Sequence, residues 1–156
     1  MSFGPVLVAP GEENDFHDDF IQKVLASHRR VVGHPLLPGV TGRDVWSGDF
    51  ALLTHRGDAQ AVLNYGNRFA LDLWECDWGQ FIATPSSATA PQEGRAARQA
   101  MMEQVVRTGF VTGYDGARVS RTGRLFLIQD VTIWRLVDET GESFGIAAFF
   151  RRYRRL

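Results

Sequence analysis

The 156-residue chain has a single cysteine, Cys76, no long uninterrupted apolar run, and almost no net charge. One thiol cannot build an internal disulfide framework, and it suits a reducing compartment. A formal charge of -1 supplies no global field that would draw the chain to nucleic acid or to an anionic membrane. At the start, MSFGPVLVAPGEEND lacks a basic segment, and Pro5 and Pro10 bracket its apolar residues. Neither a signal peptide nor a membrane span is expected, so the default location is cytoplasmic. There is no Gly-rich phosphate loop, nucleophile elbow or cysteine pair, and therefore no motif that names a catalytic group. His17, His28, His34 and His55 are scattered, without the short spacings by which two imidazoles share a metal, so no metal site is expected.

What the chain does have is length enough for one compact domain and a clear order of elements. Residues 1–43 read as an N-terminal arm, in which Phe16, Phe20, Val24 and Val31, with Ile21, Leu25 and His28 beside them, recur at helical spacing over residues 15–32. Gly33, Pro35, Pro38, Gly39 and Gly42 make residues 33–43 a connector. The core, residues 44–150, opens with strand-like stretches at 50–54 and 61–65 around a turn at His55, Arg56, Gly57 and Asp58. Asn67 is placed to cap a helix carrying Phe69, Ala70, Leu73 and Trp74. Asp77 with Gln80 resembles a capping box for a short turn bearing Trp78 and Phe81.

A longer helix is expected over residues 92–108, ending at Gly109, with Ala97, Met101 and Val105 on its buried face and Arg95, Arg98, Glu103 and Arg107 on the other. The last third reads as a three-stranded meander over 117–121, 124–137 and 143–150. Its middle strand is apolar on both alternating faces, with Leu125, Leu127, Val131 and Ile133 on one and Phe126, Ile128, Trp134 and Leu136 on the other. Such a strand must be covered twice. The pocket helices would supply one cover and the amphipathic arm the other. A homodimer interface is the alternative if the arm swings to a neighbouring chain. Residues 151–156 form a basic tail that reads as solvated rather than as a nucleic-acid site.

Two strands, a set of helices and three strands is the order of a PAS fold. The segments LNYGNRFALDLW and RLFLIQDVTIWRLVDE, within a likeness running from about Phe16 to Phe150, resemble the bacterial MEKHLA domain, a PAS-related family. The resemblance implies an α+β domain, a PAS-like five-stranded antiparallel sheet with helices on one face and an N-terminal amphipathic helix. It further implies a sensory or regulatory role with a small molecule or a partner surface as ligand. In plants the same domain ends class III homeodomain leucine-zipper regulators, but no homeodomain or zipper accompanies it here, so DNA binding is not carried over. The flavin photoreceptor type of PAS domain needs a cysteine between residues matching Asn67 and Arg68, which this chain lacks. The haem type takes a histidine from the long helix, and residues 92–108 contain none. The cofactor is left unassigned.

The expected pocket is lined by Leu52, Tyr65, Trp74, Phe81, Phe126 and Trp134, with Asn64, Gln129, Asp130 and Thr132 as polar handles and His55 at its mouth. The same aromatics could fill a solid core. Asp130 is singled out because a carboxylate inside a doubly covered strand needs a partner or solvent. Three functions follow: a small-molecule sensor, a dimerisation module built on the arm, or a small enzyme pairing His55 with Asp130 as acid and base.

Overall fold

The structure is a computed structural model that describes residues 8–156. After a 3-10 segment Glu12–His17, the first helix, α1, runs from Asp18 to Val32. It buries Phe20, Ile21, Val24, Ser27 and His28 on one face and stops at Gly33, whose φ of 101° favours glycine. The helix starts three residues later than the apolar periodicity predicts, leaving Phe16 outside it. A short helix α2, Gly42–Trp46, begins in the last two residues of the 33–43 stretch expected to be irregular and runs on into the core. Thr41 and Asp44 form a reciprocal capping box there, which offsets the poor helix propensity of Gly42.

The sheet is antiparallel, made from β1 Ala51–His55, β2 Leu63–Gly66, β3 Phe110–Val119, β4 Leu125–Val137, β5 Ser143–Phe150 and β6 Arg152–Arg155. Its order is β2-β1-β5-β4-β3, with β6 pairing β4 beyond the end of β5. Between β2 and β3 lie α3 Arg68–Trp74, α4 Trp78–Phe81 and α5 Arg95–Thr108. The basic tail is thus part of the sheet, with Arg154 opposite Leu127 and Tyr153 opposite Ile128. β3 also begins earlier than predicted. Gly113, Asp115 and Gly116 mask its strand character, but its partner β4 supplies the cross-strand contacts that hold it.

Asp130 sits at a bulge where β4 exchanges β5 for β6 as its neighbour; its φ is 54°. The extra residue there flips the alternation. Phe126 and Ile128 therefore share a face with Ile133, while Trp134 turns to the opposite face and meets His28 of α1 edge-on, ring centres 4.9 Å apart. The expected grouping of Phe126 and Ile128 with Trp134 is corrected on this point, because strict alternation cannot foresee a bulge.

The middle strand is indeed covered twice, and α1 lies on β4 of its own chain. The Ser27 hydroxyl donates to the Arg135 carbonyl at 3.0 Å and accepts from the Val137 N–H at 2.7 Å. On the other edge, Asn67 joins three elements. Its Oδ1 accepts from the N–H groups of Leu52 and Ala70, and its Nδ2 donates to the carbonyls of Val45 and Phe50. Gly66 is required beside it, since a Cβ there would lie 2.5 Å from the Phe81 ring.

Candidate functional site

Between α5 and the inner face of the sheet lies a cavity of about 40 Å³. A site that holds one water needs roughly 10–15 Å³, so the space suits only a very small guest unless side chains move. Leu53, Leu63, Met101, Ile128, Ile133 and Ala147 make apolar walls, and Trp74 closes one side. Phe126 supports the Trp74 ring edge-on at 5.2 Å and Phe81 does so at 6.5 Å. The polar lining is Thr54, His55, Ser86, Thr89, Arg98 and Arg118.

Each polar residue is placed by ordinary local structure. Arg98 lies three residues before Met101 and seven before Val105, so it shares their buried face on α5 and is only 8% exposed. The expectation that it faces solvent is corrected, and Ala97, expected inside, is exposed. The face is rotated by one residue because either Ala97 or Arg98 is compatible with Met101 and Val105. Arg118 stands opposite Phe126 on β3 and is 5% exposed. His55 ends β1 opposite Ile146 of β5. There β5 passes so near that a Cβ on Gly145 would strike the His55 carbonyl, and Gly145 also has φ 152°.

The hydrogen bonding of this lining is lopsided. Arg98 donates to the Ser86 hydroxyl. Arg118 donates to the Ala117 carbonyl at 2.7 Å and to the Tyr114 hydroxyl at 3.4 Å, and its guanidinium lies over the Tyr114 ring. Among the described residues, no carboxylate forms an ion pair with either guanidinium. Burial, reinforced by the like charge of Arg118, pushes the Arg98 pKa down to about 10. The Nδ1 of His55 accepts the Gly57 N–H at 3.0 Å, so in the neutral ring the proton is on Nε2, and that atom is buried without a partner. Burial, with Arg98 adding to it and Asp58 opposing, pushes the His55 pKa down to about 4. The ring is neutral at pH 7. The Trp74 indole N–H has no acceptor either.

Of the ten residues predicted from sequence, His55 and Trp74 line the cavity, and Phe81 and Phe126 back the Trp74 ring. Asn64 touches the lining indirectly, as its Oδ1 accepts from Thr54 at 2.5 Å. Leu52 is buried in β1, outside the lining, and Thr132 pairs with Phe149 across β4 and β5. Gln129, also named as a polar handle, pairs with Arg152 of β6. Tyr65 packs among Phe20 and Trp78, and Trp134 under α1, so neither lines the cavity. Asp130 is 66% exposed and pairs with Arg152 at 3.6 Å. It is therefore not the buried carboxylate that the pattern implied, and the structure does not bring it to His55. Thr54, Ser86, Thr89, Arg98 and Arg118 escaped the sequence reading as lining residues. The one signal for them was the spacing from Arg98 to Met101 and Val105.

The family model of the MEKHLA domain matches residues 18–155. The chain belongs to the MEKHLA domain family. Solved structures agree on the fold. A PAS domain of a protein from Colwellia psychrerythraea is 15% identical with a TM-score of 0.61, the match covering 73% of this chain and 92% of that one. An RNA-binding Light-Oxygen-Voltage receptor is 16% identical with a TM-score of 0.61, over 73% of this chain and 32% of that longer one. The PAS domain of a LuxR-family transcriptional regulator from Burkholderia thailandensis, solved in complex with ethanol, is 16% identical with a TM-score of 0.53, over 69% and 92%. No curated protein sequence matches the chain. Among the described residues, no helix of this MEKHLA domain is long and apolar enough to cross a membrane, and no three metal-ligating side chains gather.

Proposed function

We propose that this MEKHLA domain is a sensory or regulatory module that binds a small molecule in the cavity between α5 and the sheet. One observation carries the reading. The cavity is lined by buried polar atoms whose hydrogen-bonding capacity the protein itself leaves unused, the Nε2 of His55 and the indole N–H of Trp74, beside an Arg98 guanidinium that meets one hydroxyl. Desolvating such groups without partners costs about 1–3 kcal/mol each, and more for a cation, so a guest that meets them gains what the fold forgoes. The complex of the Burkholderia thailandensis PAS domain with ethanol supports the idea that a PAS domain accepts a guest of this size. A dimerisation module built on the arm finds less support, since the buried face of α1 is already applied to β4 of the same chain.

The test is native mass spectrometry of freshly purified protein together with thermal-shift screening against small metabolites of both charged and neutral type. A retained guest, or a rise in melting temperature that disappears when Ala147 is replaced by Leu to fill the cavity, is the expected result. A clean mass with no shift for any compound rejects the reading.

A further inference from the structure

We infer that the guest is a short-chain carboxylate, its two oxygens met by the guanidinium groups of Arg98 and Arg118 and by the Nε2–H of His55. The inference rests on the ligand-binding reading and deepens it. Three features of the lining point to this chemistry.

The first is the sign of what is missing. His55 Nε2–H and the Trp74 indole N–H are donors without acceptors, and Arg98 has five N–H groups of which one hydroxyl, that of Ser86, is the partner found among the described residues. The hydroxyls of Thr54 and Thr89 are already engaged, with Asn64 and with the Ser86 carbonyl. What the cavity wants is an acceptor with several lone pairs and no proton of its own to place. The second is charge. Two arginines, each more than nine-tenths buried, line the same cavity with no carboxylate among the described residues paired to either. Like charges held together out of water repel, and an anion between them turns that repulsion into attraction. The planar fork of Arg matches a carboxylate through two parallel hydrogen bonds. The third is the remainder of the wall. Met101, Ile128, Ile133 and Ala147 are apolar, so the guest has a hydrocarbon part as well as an anionic head. A cavity of about 40 Å³ keeps that part short. A bare inorganic anion would leave the apolar half of the wall unmatched.

The charged groups in and around the site are Arg98 on α5, Arg118 on β3 and, near His55 on the loop after β1, Arg56 and Asp58. Asp58 is paired with Arg56 at 3.3 Å and is exposed, so it does not serve as the missing anion.

The experiment compares propionate with propionamide, which has nearly the same shape and no charge, by isothermal titration and thermal shift in a low-chloride buffer. Acetate, butyrate, hexanoate and inorganic phosphate complete the series. Propionate is expected to bind and propionamide not to, with affinity falling at hexanoate. Charge-assisted hydrogen bonds to a buried group are worth about 1.5–3 kcal/mol, so Arg98→Gln and Arg118→Gln should each weaken propionate roughly tenfold to a hundredfold. Arg107→Gln, on the exposed face of the same helix, should leave binding as it is. Should Arg118→Gln fail to fold, Arg98→Lys still decides, because it keeps the charge but loses the fork and should bind propionate more weakly than the parent. Equal binding of amide and acid overturns the inference while leaving a ligand-binding role in place. So does binding of phosphate with no carboxylate bound. No binding by any compound of this series overturns the inference, and the ligand-binding reading falls with it only if the broader metabolite screen is also empty.

Discussion

Asn67 and Arg98 are both buried polar side chains near the start of a helix, and the fold treats them in opposite ways. Asn67 is fully buried and makes four hydrogen bonds, using both its oxygen and its amide hydrogens to tie α2, β1 and α3 together. Arg98, 8% exposed, makes one hydrogen bond among the described residues and faces a second cation. A polar group that serves the fold has its capacity used inside the fold. One whose capacity stands unused is a burden on stability, and its presence needs another reason. Unpaired neutral groups do not make this distinction alone, because Tyr65, Trp78 and Trp134 also bury a polar atom without a partner and lie outside the cavity. The buried charge is what separates the two regions.

The most severe way to break the first region is Asn67→Ala. It strands the Leu52 and Ala70 N–H groups and the Phe50 carbonyl, the Val45 carbonyl keeping the Gly48 N–H. Each stranded buried group costs about 1–3 kcal/mol, so a loss of roughly 4 kcal/mol is expected in urea unfolding. A loss under about 1 kcal/mol would mean that the junction relaxes or admits water and is not the tie described here.

Next in size is the response of the second region to acid. The His55 pKa lies near 4 in the folded chain against an ordinary 6.5, so between those values the unfolded chain binds a proton that the folded chain refuses. The His55 contribution is therefore flat above pH 6.5, and it lowers stability as pH drops toward 4, by about 3 kcal/mol at most. His28, lowered chiefly by burial beneath Trp134, adds in the same direction. Asp44, Glu75 and Asp138 have carboxyls held below their ordinary values by hydrogen bonds and act at lower pH. The slope between pH 6.5 and 5 should accordingly flatten in His55→Gln, and an unchanged slope there would remove His55 as its source.

Arg98→Met sharpens the contrast by changing sign. Replacing a buried, unbalanced cation with an apolar side chain of similar length should stabilise the apo protein by about 2 kcal/mol, measured by chemical denaturation. Loss of stability on that change would show that the Ser86 contact, like those of Asn67, belongs to the fold. Ser27→Ala, which unpairs the Arg135 carbonyl and the Val137 N–H under α1, should cost about 1–2 kcal/mol by the same measurement. An effect near zero would mean that α1 is held by its apolar face alone.

The two regions were not equally legible from sequence. Asn67 before an apolar helical run, and Asp77 followed by Gln80, are local signals, and both caps form as read. The doubly covered strand was visible in the apolarity of β4 on both of its faces. The cavity was legible only in part, because its polar members come from α5, β3 and the 3-10 turn holding Ser86, segments that meet only through the fold. Aromatic content drew attention to Tyr65 and Trp134, yet the faces they occupy depend on irregularities of the strands, which hydrophobic alternation cannot report. Arginine on an amphipathic helix is most often solvated, and that general tendency hid Arg98.

Asp130 offers the smallest effect and the cleanest contrast with Arg98. Its carboxylate pairs with Arg152 at 3.6 Å, with both side chains more than half exposed, at 66% and 70%. Exposed pairs of this kind contribute about 0–1 kcal/mol, since water solvates each partner well when they part. Asn tolerates the left-handed backbone of the bulge as Asp does, so Asp130→Asn removes the charge and little else. The expected change is within about 0.5 kcal/mol, and propionate affinity should stay the same. A large loss would mean that the bulge itself depends on the pair with Arg152. In that case the exchange of β5 for β6 beside β4 would be held by charge rather than by the backbone, and the face on which Trp134 lies would be open to ionic strength.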